Sequence, residues 1–155
     1  MFVVCSNPIT LQSKTGAEYR VACGKCLCCR AAKSKQWTIR LKHEQAYWDR
    51  EGFLTLTYDD DHLPDGGRLV KRDLVKFFKR LRRLIEPRKI RYFACGEYGS
   101  QTFRPHYHAI IFGLDSRDLP IIAKAWGLSD RISIDPVFPG AIAYVCGYVR
   151  KKIAL

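Results

Sequence analysis

The chain has 155 residues, enough for one domain with a core of its own, and its apolar fraction of 47% belongs to a folded protein rather than a disordered one. Lys and Arg number 27 against 15 Asp and Glu, and the net charge of +12 favours an anionic partner, nucleic acid first and an anionic membrane surface second. No apolar run approaches the roughly 18 residues of a membrane span, and the start MFVVCSNPIT lacks the basic and long apolar stretches of a secretory signal. The expected compartment is therefore the cytoplasm, where thiols stay reduced.

Residues 1–30 hold five of the seven cysteines and little periodicity. They read as an N-terminal arm, set apart from a compact unit over 31–155. The spacing predicts a helix over 31–49, with Trp37, Leu41 and Trp48 on one face, ended by Gly52. Phe53–Tyr58 reads as a buried strand rich in β-formers, and 59–67, with Pro64 and Gly66-Gly67, as a loop. Residues 71–85 carry the clearest helical period, in Leu74, Phe77, Phe78, Leu81, Leu84 and Ile85, and Pro87 stops that helix. A strand over 89–97, a loop over 98–105 and a strand over 106–112 follow. Then come a short helix over 117–126, a short strand over 132–134 and a final helix over 141–153. Two adjacent strands joined by a loop imply an antiparallel pair. The expected class is α+β, a central antiparallel sheet with helices packed on one face.

His106 and His108 alternate in the 106–112 strand, so both imidazoles point to one face. Two imidazoles on a rigid strand form half of a metal site, and Glu97, nine residues before His106 at the end of the preceding strand, is the expected third ligand. Such a set leaves positions open for phosphate oxygens and suits Mg²⁺ or Mn²⁺ acting as a Lewis acid. The other two histidines, His43 and His62, read as surface residues.

Tyr144 and Tyr148 stand four apart in the last helix and share one face, which Lys151 joins. A phenol is a weak nucleophile near its free pKa of about 10, and a neighbouring lysine lowers that barrier. Attack on DNA would give a phosphotyrosine ester and a free hydroxyl, and the strand could later be rejoined. Packing is the alternative role for both phenols.

Cys5, Cys23, Cys26 and Cys29 supply four thiolates, enough for a tetrahedral structural Zn²⁺, with Cys28 left free. An iron–sulfur cluster and a set of metal-free thiols are the rival readings. Cys95 and Cys146 read as buried apolar positions. Arg30, Lys33, Lys35, Arg68, Lys71, Arg72 and Arg104 flank loops or helix starts and are the expected phosphate contacts of a single strand.

Taken in order, Phe53-Leu-Thr-Leu-Thr-Tyr58, Pro105-His106-Tyr107-His108 and Tyr144-x₃-Tyr148-x₂-Lys151 resemble the three motifs of HUH endonucleases. The stretches Cys23-Gly-Lys-Cys26-Leu-Cys-Cys29-Arg30 and Tyr92-Phe-Ala-Cys-Gly-Glu97-Tyr-Gly99 resemble the rolling-circle replication initiators of small single-stranded DNA phages, the gokushovirus branch of the Microviridae. The resemblance implies a nickase sheet of ferredoxin- or RRM-like topology, metal ligands at His106, His108 and Glu97, and a 5′-phosphotyrosine intermediate. It implies Tyr148 as first nucleophile, three residues before Lys151, and Tyr144 as second. The implied substrate is single-stranded or locally melted origin DNA in the host cytoplasm. The implied protein is a monomer, host helicase or polymerase its further partners, and it continues beyond residue 155. A two-tyrosine transposase is the near alternative. A zinc-stabilised nucleic-acid-binding module without chemistry is the alternative from another class.

Overall fold

A computed structural model describes residues 4–149 and residue 151. Its centre is a four-stranded sheet built from β3 (Glu51–Leu56), β4 (Arg91–Tyr98), β5 (Pro105–Phe112) and β6 (Ser133–Asp135), in the spatial order β4-β5-β3-β6. All neighbouring pairs are antiparallel. Between these strands run α2 (Lys71–Ile85) and α3 (Leu119–Trp126), so the central unit is β3-α2-β4-β5-α3-β6, the split βαβ arrangement of ferredoxin-like folds. Before it come a hairpin of β1 (Ile9–Gln12) and β2 (Glu18–Val21) and helix α1 (Leu27–Gln45). After it comes α4 (Ala141–Gly147).

The α+β class and the antiparallel sheet are those the sequence predicts, but the helices cover both faces rather than one. The two-residue period of the strands explains why both faces are apolar. Leu54, Leu56, Tyr107, Ala109 and Ile111 point to one side and pack with Phe77, Phe78, Leu81 and Ile85 of α2 and with Ile122, Ala125 and Trp126 of α3. Phe53, Ile110 and Phe112 point to the other side and meet Leu41 of α1 and Ala141, Ile142, Val145 and Cys146 of α4. Helix α1 seats on α4 partly through Ser34, whose buried hydroxyl donates to the Cys146 carbonyl at 2.9 Å.

Polar staples close the ends. Asp118 is buried, and its carboxylate accepts from Arg50 and, at 2.8 Å, from Arg88. Arg50 also reaches Asp115 at 2.8 and 3.0 Å. Arg80 of α2 donates to the carbonyls of Ala125 and Trp126, satisfying the free C-terminal acceptors of α3.

Boundaries differ from expectation where local signals mislead. Helix α1 spans 27–45, not 31–49. It starts four residues early because Cys26 caps it, the thiol accepting from Cys29 N–H. Gly52 does not end a helix. It lies inside β3, where the Ile134 side chain occupies the space a Cβ would need. Helix α4 ends at Gly147, and the expected continuation to 153 includes residues 150 and 152–155, outside the described residues. None of the helices among the described residues is long and apolar enough to cross a membrane.

Candidate metal and nucleophile centre

The register of β4 on β5 places Glu97 directly opposite His106 and Cys95 directly opposite His108. By alternation Glu97, His106 and His108 therefore share the face covered by α1 and α4. His106 Nε2 lies 3.4 Å and His108 Nε2 3.5 Å from the same oxygen, Glu97 Oε2. The three ligand-type atoms all lie within 4.8 Å of one another. Their side chains are 19%, 12% and 21% exposed for His106, His108 and Glu97, so the group is recessed yet open on one side.

Both far ring nitrogens are occupied. His106 Nδ1 is 3.2 Å from the Arg104 carbonyl, which can only accept, so Nδ1 carries the proton and Nε2 presents a lone pair. His108 Nδ1 is 3.1 Å from Thr55 Oγ1. Ligating histidines are held in this way, by a partner on the other nitrogen. Burial, and then the charge of His106, pushes the His108 imidazole below its ordinary pKa. It thus stays neutral and able to ligate. Burial alone would raise the Glu97 carboxyl. Hydrogen bonds from Tyr148 and Tyr144 and the charges of the two imidazoles outweigh it, and the carboxyl sits below the usual range. Two imidazoles and one carboxylate are a donor set that fits a divalent cation with open positions.

Helix α4 brings the phenols to the same place. Tyr144 Oη donates to Glu97 Oε2 at 3.2 Å, and Tyr148 Oη donates to Tyr144 Oη at 2.7 Å. The Tyr144 ring also packs edge-on against His108, with ring centres 5.9 Å apart. Past Gly147 the chain tightens. Val149 N–H bonds to the Cys146 carbonyl and Lys151 N–H to the Tyr148 carbonyl, which swings the Lys151 ammonium to 4.7 Å from the centre of the Tyr148 ring. Burial first, and then the neighbouring Glu97 carboxylate, raises both phenols above their ordinary pKa, so both are protonated as they stand.

Beside His106 opens a groove of about 300 Å³ lined by Thr57, Thr102, Arg104, Pro105 and Arg131. Arg104 is anchored there, donating to Asp60 at 2.7 Å and to the Tyr58 carbonyl at 3.0 Å. Phe103, next to it in the tight β4–β5 turn, is 72% exposed and has φ of 52°, a conformation uncommon for a bulky residue. Of the other expected phosphate contacts, Arg30 is half-buried and Lys33 and Lys35 are exposed on α1. Arg68, Lys71 and Arg72 stand elsewhere. Leu69 lies over Gly96, and Val70 N–H bonds to Tyr107 Oη, which ties this segment to the opposite face of the sheet. Thr55, Thr57 and Arg131 escape sequence reasoning. The signal for Thr55 is a polar residue inside an apolar strand, readable only once its register opposite His108 is known.

The four cysteines of the N-terminal region form a second candidate metal group. The sulfurs of Cys5, Cys23, Cys26 and Cys29 lie within 4.8 Å of one another, and Cys28 is exposed outside the group. Hydrogen bonding, from Ser6 first and then the Cys29 N–H, lowers the Cys26 thiol to about 5. The Cys26 neighbour raises Cys29 to about 12.

Residues 51–153 match the family model of the ORF2-type replication-associated proteins. The chain belongs to this family. It is 34% identical over 164 aligned positions to the replication-associated protein VP4 of Bdellovibrio phage phiMH2K, covering 92% of this chain and 51% of that protein. It is 40% identical to the replication-associated protein ORF2 of Spiroplasma virus 4 over 64% of this chain and 33% of that one. It is 29% identical to the replication-associated protein ORF4 of Chlamydia phage 1 over 88% and 39%. The chain thus spans about half the length, or less, of these curated relatives. No solved structure matches it.

Proposed function

We propose that this chain is the strand-cleaving and rejoining unit of a rolling-circle replication initiator, acting on single-stranded or locally melted origin DNA. The observation that carries the reading is the unbroken line Tyr148–Tyr144–Glu97, whose last carboxylate oxygen also faces both imidazole Nε2 atoms. Glu97, His106 and His108 would hold Mg²⁺ or Mn²⁺. A divalent ion there would supply Lewis-acid withdrawal of charge from a scissile phosphate.

The chain's own groups account for the rest. Tyr148 Oη forms a bond to phosphorus as the bond from phosphorus to the 3′ oxygen breaks. The phenol proton has a path through Tyr144 to the Glu97 carboxylate, and the departing 3′ oxygen takes up a proton to become a hydroxyl. Lys151, with its cation on the Tyr148 ring, favours the phenolate that forms. The product is a 5′-phosphotyrosine ester, and attack on it by a 3′ hydroxyl restores the strand and the phenol. Tyr144, one hydrogen bond away, serves the second transfer. Arg104 and Arg131 hold flanking phosphates along the groove, and Phe103 offers a face on which a base can stack.

The test is cleavage of single-stranded DNA with Mn²⁺, read on a denaturing gel. Tyr148→Phe is expected to abolish the first cut, Tyr144→Phe to spare it, and His106→Ala to abolish it in a folded protein. Cleavage that persists without divalent metal would overturn the reading.

A further inference from the structure

The N-terminal hairpin raises a physical problem. Its strands are four residues each, and Ile9, Leu11 and Tyr19 on it remain exposed. A lone two-stranded hairpin that buries so little is marginal in water. Something else must hold it against α1.

The four cysteines are placed to do so. Cys5 precedes β1, Cys23 follows β2, and Cys26 and Cys29 lie at the start of α1. Cys5 Sγ is 3.8 Å from Cys26 Sγ, and Cys23 Sγ is 4.0 Å from Cys29 Sγ. A tetrahedral ion with zinc–sulfur bonds of about 2.3 Å sets its sulfurs about 3.8 Å apart. A disulfide needs about 2.05 Å. Backbone N–H groups also converge on the sulfurs. Cys23 N is 3.3 Å from Cys5 Sγ, Lys25 N and Cys26 N are 3.4 and 3.3 Å from Cys23 Sγ, and Cys29 N is 3.4 Å from Cys26 Sγ. Such donors favour thiolates, which are the form that ligates. Cys26 in addition caps α1, whose N-terminal dipole stabilises negative charge.

We propose that Cys5, Cys23, Cys26 and Cys29 hold a structural zinc ion that fastens the hairpin to the first turn of α1 and, through α1, fixes the seating of the tyrosine helix. The second link is the bond from Ser34, five residues past Cys29, to the Cys146 carbonyl between Tyr144 and Tyr148. Zinc binding stands independently of the strand-cleavage reading. Only the link to the tyrosines touches it, and that link is tested by a readout other than cleavage.

The full chain, purified under reducing conditions, is expected to carry one zinc per molecule by elemental analysis. His106→Ala should retain it, which separates this ion from any at the imidazoles. Cys28→Ser should retain it as well, and Cys23→Ser should lose it. Cobalt in place of zinc should give the thiolate-to-metal charge-transfer bands of a tetrahedral sulfur site, a readout that survives if a cysteine variant fails to fold. After an organomercurial strips the zinc from wild type, amide exchange should quicken in residues 5–26 and also in 141–148. A folded wild-type chain without zinc, or one carrying iron and acid-labile sulfide, would overturn the proposal. Unchanged exchange over 141–148 would remove the link to the tyrosine helix.

Discussion

Thr55→Val isolates the orientation of one imidazole from everything else. The substitution keeps the shape of the side chain and deletes only the hydroxyl that lies 3.1 Å from His108 Nδ1. A hydrogen bond of this kind contributes about 1 kcal/mol to the fold, so thermal stability should fall only slightly. The effect on a metal at Glu97, His106 and His108 should be larger. Partners on the far nitrogen of a ligating histidine are worth about 10–100-fold in affinity. His106 keeps its own partner, the Arg104 carbonyl, so only one of two supports is lost. The expected weakening is therefore near the low end, about tenfold, or about 1.4 kcal/mol. Titration of Mn²⁺ followed by the paramagnetic signal of the free ion measures it directly. Thr55→Ser should restore most of the affinity, and His108→Ala should lose far more than Thr55→Val. Unchanged Mn²⁺ affinity in a folded Thr55→Val protein would refute the reasoning that this contact aims the imidazole.

Other contacts give equally specific outcomes. Gly113→Ala should destabilise by about 2–3 kcal/mol in urea unfolding, because its φ is 96° and a Cβ would stand 2.6 Å from the Lys89 carbonyl oxygen. Asp118→Ala should cost about 2–3 kcal/mol in the same measurement, since it strips partners from Arg50 and Arg88. Acid should weaken the same corner. Arg117 first and then Arg50 hold the Asp115 carboxyl well below the usual range. Folding thus favours its ionised form, and that contribution is complete above the unfolded value of about 3.9 and lost progressively as pH falls below it. Unfolding midpoints between about pH 6 and pH 2.5 check this, and Asp115→Asn should flatten the acid limb. Phe103→Ala should weaken single-stranded DNA binding by about 5–150-fold in fluorescence anisotropy, the worth of one stacked base, with Phe103→Tyr close to wild type.

Much of this architecture is written locally. Helix α2 runs over the predicted 71–85 because Phe77, Phe78, Leu81 and Ile85 recur at helical spacing and are buried. The imidazole pair is legible because β-strand alternation alone puts His106 and His108 on one side. What is not local is harder to read. Which face each helix covers depends on the strand order β4-β5-β3-β6, set by pairings distant in sequence, and so α1 and α4 appear on the side expected to be bare. The β1–β2 hairpin has its apolar residues exposed, so it carries no burial pattern to detect. Gly52 reads as a helix stop only until Ile134, far along the chain, is found lying on it. Charge is the least legible feature. Arg68, Lys71 and Arg72 look like Arg104 in sequence, yet a single leucine, Leu69 over Gly96, puts them across the sheet from the imidazoles.

The central claim is a covalent bond between a phenol of α4 and DNA. Wild-type chain mixed with a random-sequence single-stranded oligonucleotide library and Mn²⁺, then digested with nuclease and protease, is predicted to yield a peptide bearing a nucleotide phosphate on Tyr148, and none without the metal. Recovery of no tyrosine-linked nucleotide, or an adduct that survives in the Tyr144→Phe/Tyr148→Phe double variant, would contradict it.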